Sequence, residues 1–283
     1  MYHPASSSGF TLIELSIVLV IIGLIVSGIL VGQDLIKNAE VRAQISQIEK
    51  YDQAVNTFKA KFNAIPGDMA VSVANQFGFS VGVACNGQQG GRDGNGLIDG
   101  FVGTAIYLQT SGENNLFWED LSSGPSGGLI DGTFPNSGAY PEGCGTSLNM
   151  NTTPGTSYIG DYFPLAKIGH GNFVYVFEAG GYNWYSISAL TSVAIGGGVF
   201  TSSTNIPVIQ AYNIDKKVDD GLPTTGAVQT QYITGSNTVL SVSPNATTDT
   251  ATTCYNTISN AYSVSSLADY GAGGNCALSF RFQ

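Results

Sequence analysis

Between Glu14 and Asp34 the chain has no ionisable side chain, and residues 15–32, "LSIVLVIIGLIVSGILVG", hold thirteen Leu, Ile and Val. A helix of about 20 apolar residues spans the hydrocarbon core of a bilayer. At roughly 0.3–0.6 kcal/mol each, thirteen such side chains favour insertion by ~4–8 kcal/mol. An acidic residue at a helix centre costs ~2.5–3.5 kcal/mol, and Glu14 lies near the end of the run, where the penalty is smaller. The segment therefore inserts with its carboxylate. Intramembrane carboxylates have partners, and no Lys or Arg lies within reach on this helix. A cut between Gly9 and Phe10 would create one, an α-amino group that is cationic at neutral pH. A secretory signal places its small-residue cut after the apolar run, whereas this small residue precedes it.

The stretch "GFTLIELSIVLVIIGLI" resembles the N-terminal segment of type IV prepilins and of the related type II secretion pseudopilins. The resemblance covers about 25 residues and leaves the rest of the chain to be read independently. It implies that a membrane peptidase cuts after Gly9, that the new amine of Phe10 is methylated, and that Glu14 pairs with the amine of a neighbouring subunit during filament assembly. There are two departures. The leader "MYHPASSSG" has no Lys or Arg, and Val31 stands where the family commonly has proline. Gly23, Gly28 and Gly32 are the points where this helix is weakest.

Charge is divided unevenly along the chain. Residues 1–61 contain five basic side chains (Lys37, Arg42, Lys50, Lys59, Lys61) and five acidic ones, so the remainder carries the whole net charge of −10. An acidic region with five basic residues beyond Lys61 argues against nucleic-acid binding, which needs clustered Lys and Arg. Only 11% of residues are charged, and 37 are glycine, a composition that suits a turn-rich, mostly β exported domain. Four cysteines, Cys85, Cys144, Cys254 and Cys276, all lie beyond the apolar run, and an even number in an exported domain suggests two disulfides. Three pairings are open. Cys85–Cys144 with Cys254–Cys276 is favoured because sequential loops need no threading. The pilin resemblance adds weight to Cys254–Cys276, since pilins often close their C-terminal region with a disulfide.

The apolar run continues without proline into "QDLIKNAEVRAQISQIEKYDQAVNTFKAKFNAIPGD". Leu35, Ala39, Ile45, Ile48, Tyr51 or Asp52, Val55, Phe58 and Phe62 recur at helical spacing, so one helix is expected from Phe10 to Asn63, ended by Ile65-Pro66. "FVYVFEA" and "WYSISAL", separated by "GGYN", read as a hairpin, and "NNLFWEDLSSGPSGGLIDGTF" as a short helix closed by a glycine-rich loop. The Thr- and Ser-rich stretch from Thr224 to Cys254 reads as solvent-exposed edge strands or loops, a surface open to glycosylation or receptor contact.

Two acidic stretches carry calcium-type ligands. Asp93, Asn95 and Asp99 in "DGNGLIDG" have the spacing of the first half of an EF-hand loop, without its later Gly and Glu. Asp215, Asp219 and Asp220 in "NIDKKVDDG" lie near the C-terminus, where some pseudopilins hold calcium, although Lys216 and Lys217 adjoin them and Asp220-Gly221 alone makes a turn. Enzyme signatures of the HExxH and P-loop types are absent from the sequence, and His170 in "KIGHGNF" has no neighbouring nucleophile.

The expected fold is α+β: a long N-terminal helix packed on a mostly antiparallel β, disulfide-containing head. Expected boundaries are a leader at 1–9, a transmembrane and filament-core helix at 10–33, an amphipathic helix at 34–64 and a β-rich head at 65–283. The resemblance implies a non-enzymatic subunit of a helical filament. It is held in the bacterial inner membrane with its head in the periplasm, then moved into an extracellular filament or a periplasmic pseudopilus. Its partners would be copies of itself, the prepilin peptidase and methyltransferase, and an assembly platform with its ATPase. A type II secretion pseudopilin and a minor tip subunit with a binding head are the alternatives.

Overall fold

A computed structural model describes residues 11–81, 92–98, 112–134, 148–149, 159–195, 199–236 and 239–282. The chain divides into two compact units, Met1–Glu40 and Val41–Gln283. The first helix, α1, runs Leu12–Phe62. Straight-chain and aliphatic residues sustain it, and no proline interrupts it. It ends where Asn63 turns left-handed (φ 53°), with the Asn63 N–H donating to the Lys59 carbonyl at 2.8 Å. Lys59 and Lys61 occupy its last turn, where cations favour the helix dipole.

In the first unit the side chains of α1 are exposed on every face, from Leu12 through Leu35 and Ile36. In the second unit one stripe is buried: Val41, Gln44, Ile48, Tyr51, Val55, Phe58 and Phe62. Leu35 and Ala39, which belong to the expected apolar series, lie in the first unit and are exposed. Two glutamines join the buried face. Gln44 Oε1 accepts the Ile168 N–H at 3.0 Å and Gln47 Oε1 the Lys167 N–H at 2.9 Å, while Gln47 Nε2 donates to the Leu165 carbonyl at 2.8 Å. They satisfy backbone groups at 165–168, a connection that meets the chain at Phe173 through an isolated antiparallel bridge from Leu165.

After the helix the chain turns at Gly67 (φ +86°), where a Cβ would sit 2.5 Å from the Glu113 carbonyl oxygen, so only glycine fits. Short helices follow at α2, Val71–Phe77, and α3, Gly112–Ser122, then the two-residue strand β1, Leu148–Asn149, and α4, Ile159–Tyr162. The sheet begins with β2, Asn172–Ala179, and β3, Tyr182–Ile195, paired in register from Asn172↔Ala189 to Ala179↔Tyr182. Gly180 (φ 64°) and Gly181 (φ 79°) supply the left-handed pair that a tight two-residue hairpin requires. β3 also pairs with β4, Val199–Ser203, on both sides of a bulge between Leu190 and Ser192.

Helix α5, Val208–Val218, precedes β5, Val228–Gln229, β6, Gln231–Ser236, and β7, Val239–Val242. A small separate sheet holds β8, Asn245–Ala246, β9, Tyr255–Asn256, and β10, Ala261–Tyr262. The last strand, β11, Leu278–Arg281, lies between β3 and β5 in the main sheet, whose order is β5-β11-β3-β4-β6-β7 with β1 and β2 also on β3. Apart from the parallel β8–β9 pair, the pairings are antiparallel, and the class is α+β.

The core is aromatic where helix meets sheet. Tyr51 meets Trp118 edge-on at 4.9 Å, and Tyr185 stacks on Phe282 at 4.1 Å. A second buried region is hydroxyl-rich: Ser186 Oγ and the Ile233 N–H each donate to Tyr175 Oη at 3.0 Å, and Ser279 Oγ donates to the Gln231 carbonyl at 2.7 Å. In the Thr- and Ser-rich stretch, β7 is an edge strand and Thr224, Thr225 and Thr252 are exposed as expected, while other residues depart from that expectation. Ile233, Thr230 and Ser243 are buried, because their hydroxyls and backbone pair inside the sheet instead of meeting water.

Candidate functional site

The start of α1 is built as a reciprocal cap. Thr11 Oγ1 accepts the Glu14 N–H at 3.3 Å, while the Glu14 carboxylate accepts both the Thr11 N–H and the Thr11 hydroxyl at 2.8 Å. The Thr-x-x-Glu spacing is a capping box. The spacing is legible in the sequence, where Thr11 is not among the expected site residues. The cap holds the carboxylate at the helix N-terminus, where the peptide dipoles favour negative charge. Gly9 and Phe10 lie outside the described residues.

From this cap, apolar side chains surround the helix, and an 18-residue window within α1 is apolar enough to cross a membrane with none of it buried. A helix apolar all round belongs in lipid or inside an assembly. The exposed apolar surface with a single carboxylate at its entry is the chemical content of the site.

Of the two expected calcium sets, the structure brings one together. Asp215, Asp219 and Asp220 can place one oxygen each within 4.8 Å of the others. Asp215 is buried at the end of α5 and accepts the Tyr262 hydroxyl at 2.7 Å and the Gly221 N–H at 3.1 Å. Burial pushes its carboxyl up to about 6, opposed by those donors and reinforced by the charges of Asp220 and Asp219. Asp219 Oδ2 accepts the N–H groups of Ala227 and Val228, and Asp220 accepts the Leu222 N–H at 2.8 Å, so both also serve as turn carboxylates.

In the other set Asp99 lies outside the described residues. Asp93 and Asn95 bond each other, with Asn95 Nδ2 donating to Asp93 Oδ2 at 2.9 Å. The carboxylates grouped with Asp93 are instead Asp68 and Glu113, both buried, with one oxygen of each within 4.8 Å of the others. They come from the turn after α1 and from the start of α3, and no local spacing could have linked them. Burial pushes the Asp68 carboxyl up to about 6; the Gly96 N–H opposes this and the nearby Asp93 charge reinforces it. Hard carboxylate oxygens at these separations suit calcium or magnesium in either group.

Cys254 and Cys276 form a disulfide with their Cα atoms 5.0 Å apart, closing the loop that carries β9 and β10. Cys85 and Cys144 lie outside the described residues.

No curated protein and no solved structure matches the chain. Residues 4–30 match the sequence model of the prokaryotic N-terminal methylation motif. The match takes in the capped start of α1 and the first part of its exposed apolar run, so the chain carries at its N-terminus the leader motif of type IV pilins and pseudopilins.

Proposed function

We propose that this chain is a structural subunit of a type IV pilus-like filament, made as an inner-membrane precursor, cut after Gly9 and methylated at Phe10. The observation that carries this reading is an apolar helix, exposed on all faces, whose only carboxylate between residues 12 and 33 sits in its first turn. In the membrane, lipid covers the apolar surface. In the filament, neighbouring copies of the helix cover it, and the methylated amine of one subunit meets Glu14 of another. Because an unpaired carboxylate in an apolar assembly is costly, Glu14 selects the axial register in which a cation faces it.

Sister subunits, the prepilin peptidase and methyltransferase, and a platform driven by an ATPase are the partners this reading requires. The head stays in the periplasm until assembly and then faces outwards, for adhesion or as the body of a surface fibre. The pseudopilin reading draws on the carboxylates at the end of α5: calcium at Asp215, Asp219 and Asp220 would brace the head, seen as a calcium-dependent rise in its unfolding temperature that Asp219→Asn abolishes.

Glu14→Ala and Glu14→Val test the proposal. Insertion and cleavage should persist while filament mass in the sheared surface fraction falls at least about tenfold, the loss of roughly 1.4 kcal/mol or more per subunit contact. Wild-type filament yield in both variants would refute the pairing role.

A further inference from the structure

The turn that follows the small sheet, Ser266–Gly271, presents two large apolar side chains to solvent. Leu267 is 73% exposed and Tyr270 72%, with the carboxylate of Asp269 exposed between them. Asp269 (φ 48°) and Tyr270 (φ 53°) both take the left-handed backbone conformation, which is costly for an L residue and persists only where the surroundings enforce it. Here Ala268 is buried beneath the tip, and the N–H groups of Ala268 and Tyr270 both donate to the Ser265 carbonyl at 3.0 Å. Gly271 lies so close to α5 that a Cβ would sit 2.9 Å from the Ile209 nitrogen. The fold thus fixes the tip and turns Leu267, Asp269 and Tyr270 outwards.

Elsewhere on the same unit is a groove of about 700 Å³, lined among others by Lys50 and Tyr51 of α1, by Ile130 and Asp131, and by Leu165 and Lys167. Leu165 is 62% exposed there. Two ammonium groups against one carboxylate leave the lining cationic, in a chain whose net charge is −10. None of residues 266–271 lines it. We infer that the tip of one copy seats in this groove of a second copy, with Leu267 and Tyr270 inside and Asp269 against Lys50 and Lys167. The inference rests on the filament reading. Tip and groove are different patches of one surface, so the contact is heterologous: each copy offers its tip to one neighbour and its groove to another. Such a contact extends into an open helix when its rotation does not close, whereas a self-complementary patch stops at two copies. A tyrosine seated in a concave site is the residue type that carries interface energy, and the charges beside it fix orientation and reject like-charged surfaces. No residue of Met1–Glu40 takes part, so this is a contact separate from that of Glu14.

Photo-cross-linking tests it. A benzophenone amino acid is placed at position 270 of the full-length chain in cells that express it, and the sheared surface material is irradiated. The expected product is a dimer whose joined peptides hold position 270 of one copy and residues 43–57 or 164–167 of another. Filaments in which position 270 cross-links elsewhere, to a different protein or only within its own chain would overturn the inference and leave the filament reading standing. Absence of filaments from the wild type would overturn that reading, and the inference with it. Charge exchange gives a second readout. Asp269→Lys, and Lys50→Glu with Lys167→Glu, should each lower filament yield at least about tenfold, and the three substitutions together should restore most of it. All three side chains are exposed, so the unfolding midpoint of the chain in micelles should stay where it is. Undiminished yield in the separate variants, or no recovery in the combined one, would overturn the pairing of Asp269 with the two lysines.

Discussion

Replacing Arg92 by Met should unfold the head more readily than replacing Arg92 and Asp120 together. The two side chains are 0% and 1% exposed and bonded twice, from Nη1 to Oδ2 at 2.7 Å and from Nη2 to Oδ1 at 2.6 Å. Arg92 Nε also donates to the Ser80 carbonyl at 2.6 Å, and the Gly67 N–H donates to Asp120 at 2.7 Å. The pair thus ties the turn after α1 to α3 and to the loop that begins at Arg92. Arg92→Met leaves Asp120 buried with the Gly67 N–H still donating to it but no cation beside it, and breaking a buried pair in this way costs ~3–5 kcal/mol. Arg92→Met with Asp120→Leu leaves no uncompensated buried charge, and beyond the Ser80 and Gly67 carbonyls that the single variant already orphans it orphans only the Gly67 N–H, at about 1–3 kcal/mol. In a domain of this size the single variant should melt roughly 10 °C lower. Burial already pushes the Asp120 carboxyl up, against the pull of Arg92. Without Arg92 its pKa rises further, so the variant should recover stability as pH falls and Asp120 takes a proton. Urea unfolding of the full-length chain in micelles, followed by the fluorescence of the buried Trp118 and Trp184, measures all of this. A single variant costing less than about 1 kcal/mol, or one no worse than the double, would refute the reasoning.

Cys254→Ser should cost about 3 kcal/mol by the loop-entropy relation for a separation of 22 residues, and reductant should lower the wild-type midpoint by the same amount. Gly9→Val should leave the leader attached, which intact mass of the membrane fraction would show. Burial raises the Asp52 carboxyl from 3.8 to about 6, with the Tyr185 hydroxyl opposing and Glu49 reinforcing. A carboxyl whose folded pKa is raised contributes stability that is present below about pH 4 and lost as pH rises through 6. Asp52→Asn should therefore flatten the fall of the urea midpoint between those pH values, and an unchanged slope would show that other groups set it.

Local signals were legible wherever one residue type decides the backbone. The hairpin at Gly180-Gly181, the helix end before Pro66 and the apolar run of α1 were all readable, because glycine, proline and long aliphatic stretches act through near neighbours. Helix α5 has no counterpart among the elements expected from sequence, because its buried stripe of Val208, Ala211 and Ile214 spans only about two turns and is interleaved with polar residues. The grouping of Asp68 with Asp93 and Glu113 depends on tertiary contacts between residues far apart in the chain. The same is true of the glutamines that cap the backbone at 165–168, where a polar residue on a buried helix face looks like a flaw in the pattern until its partner is in place. The disulfide pairing of Cys254 with Cys276 was one of three open from the residues, and the pilin resemblance pointed to it correctly.

Intact mass and N-terminal sequencing of the chain recovered from native membranes and from sheared surface material is the most direct test of assembly. A chain beginning with N-methylated Phe10 in the sheared fraction is the predicted result. A chain still beginning at Met1 in every fraction would contradict it and leave a tethered domain that never enters a filament.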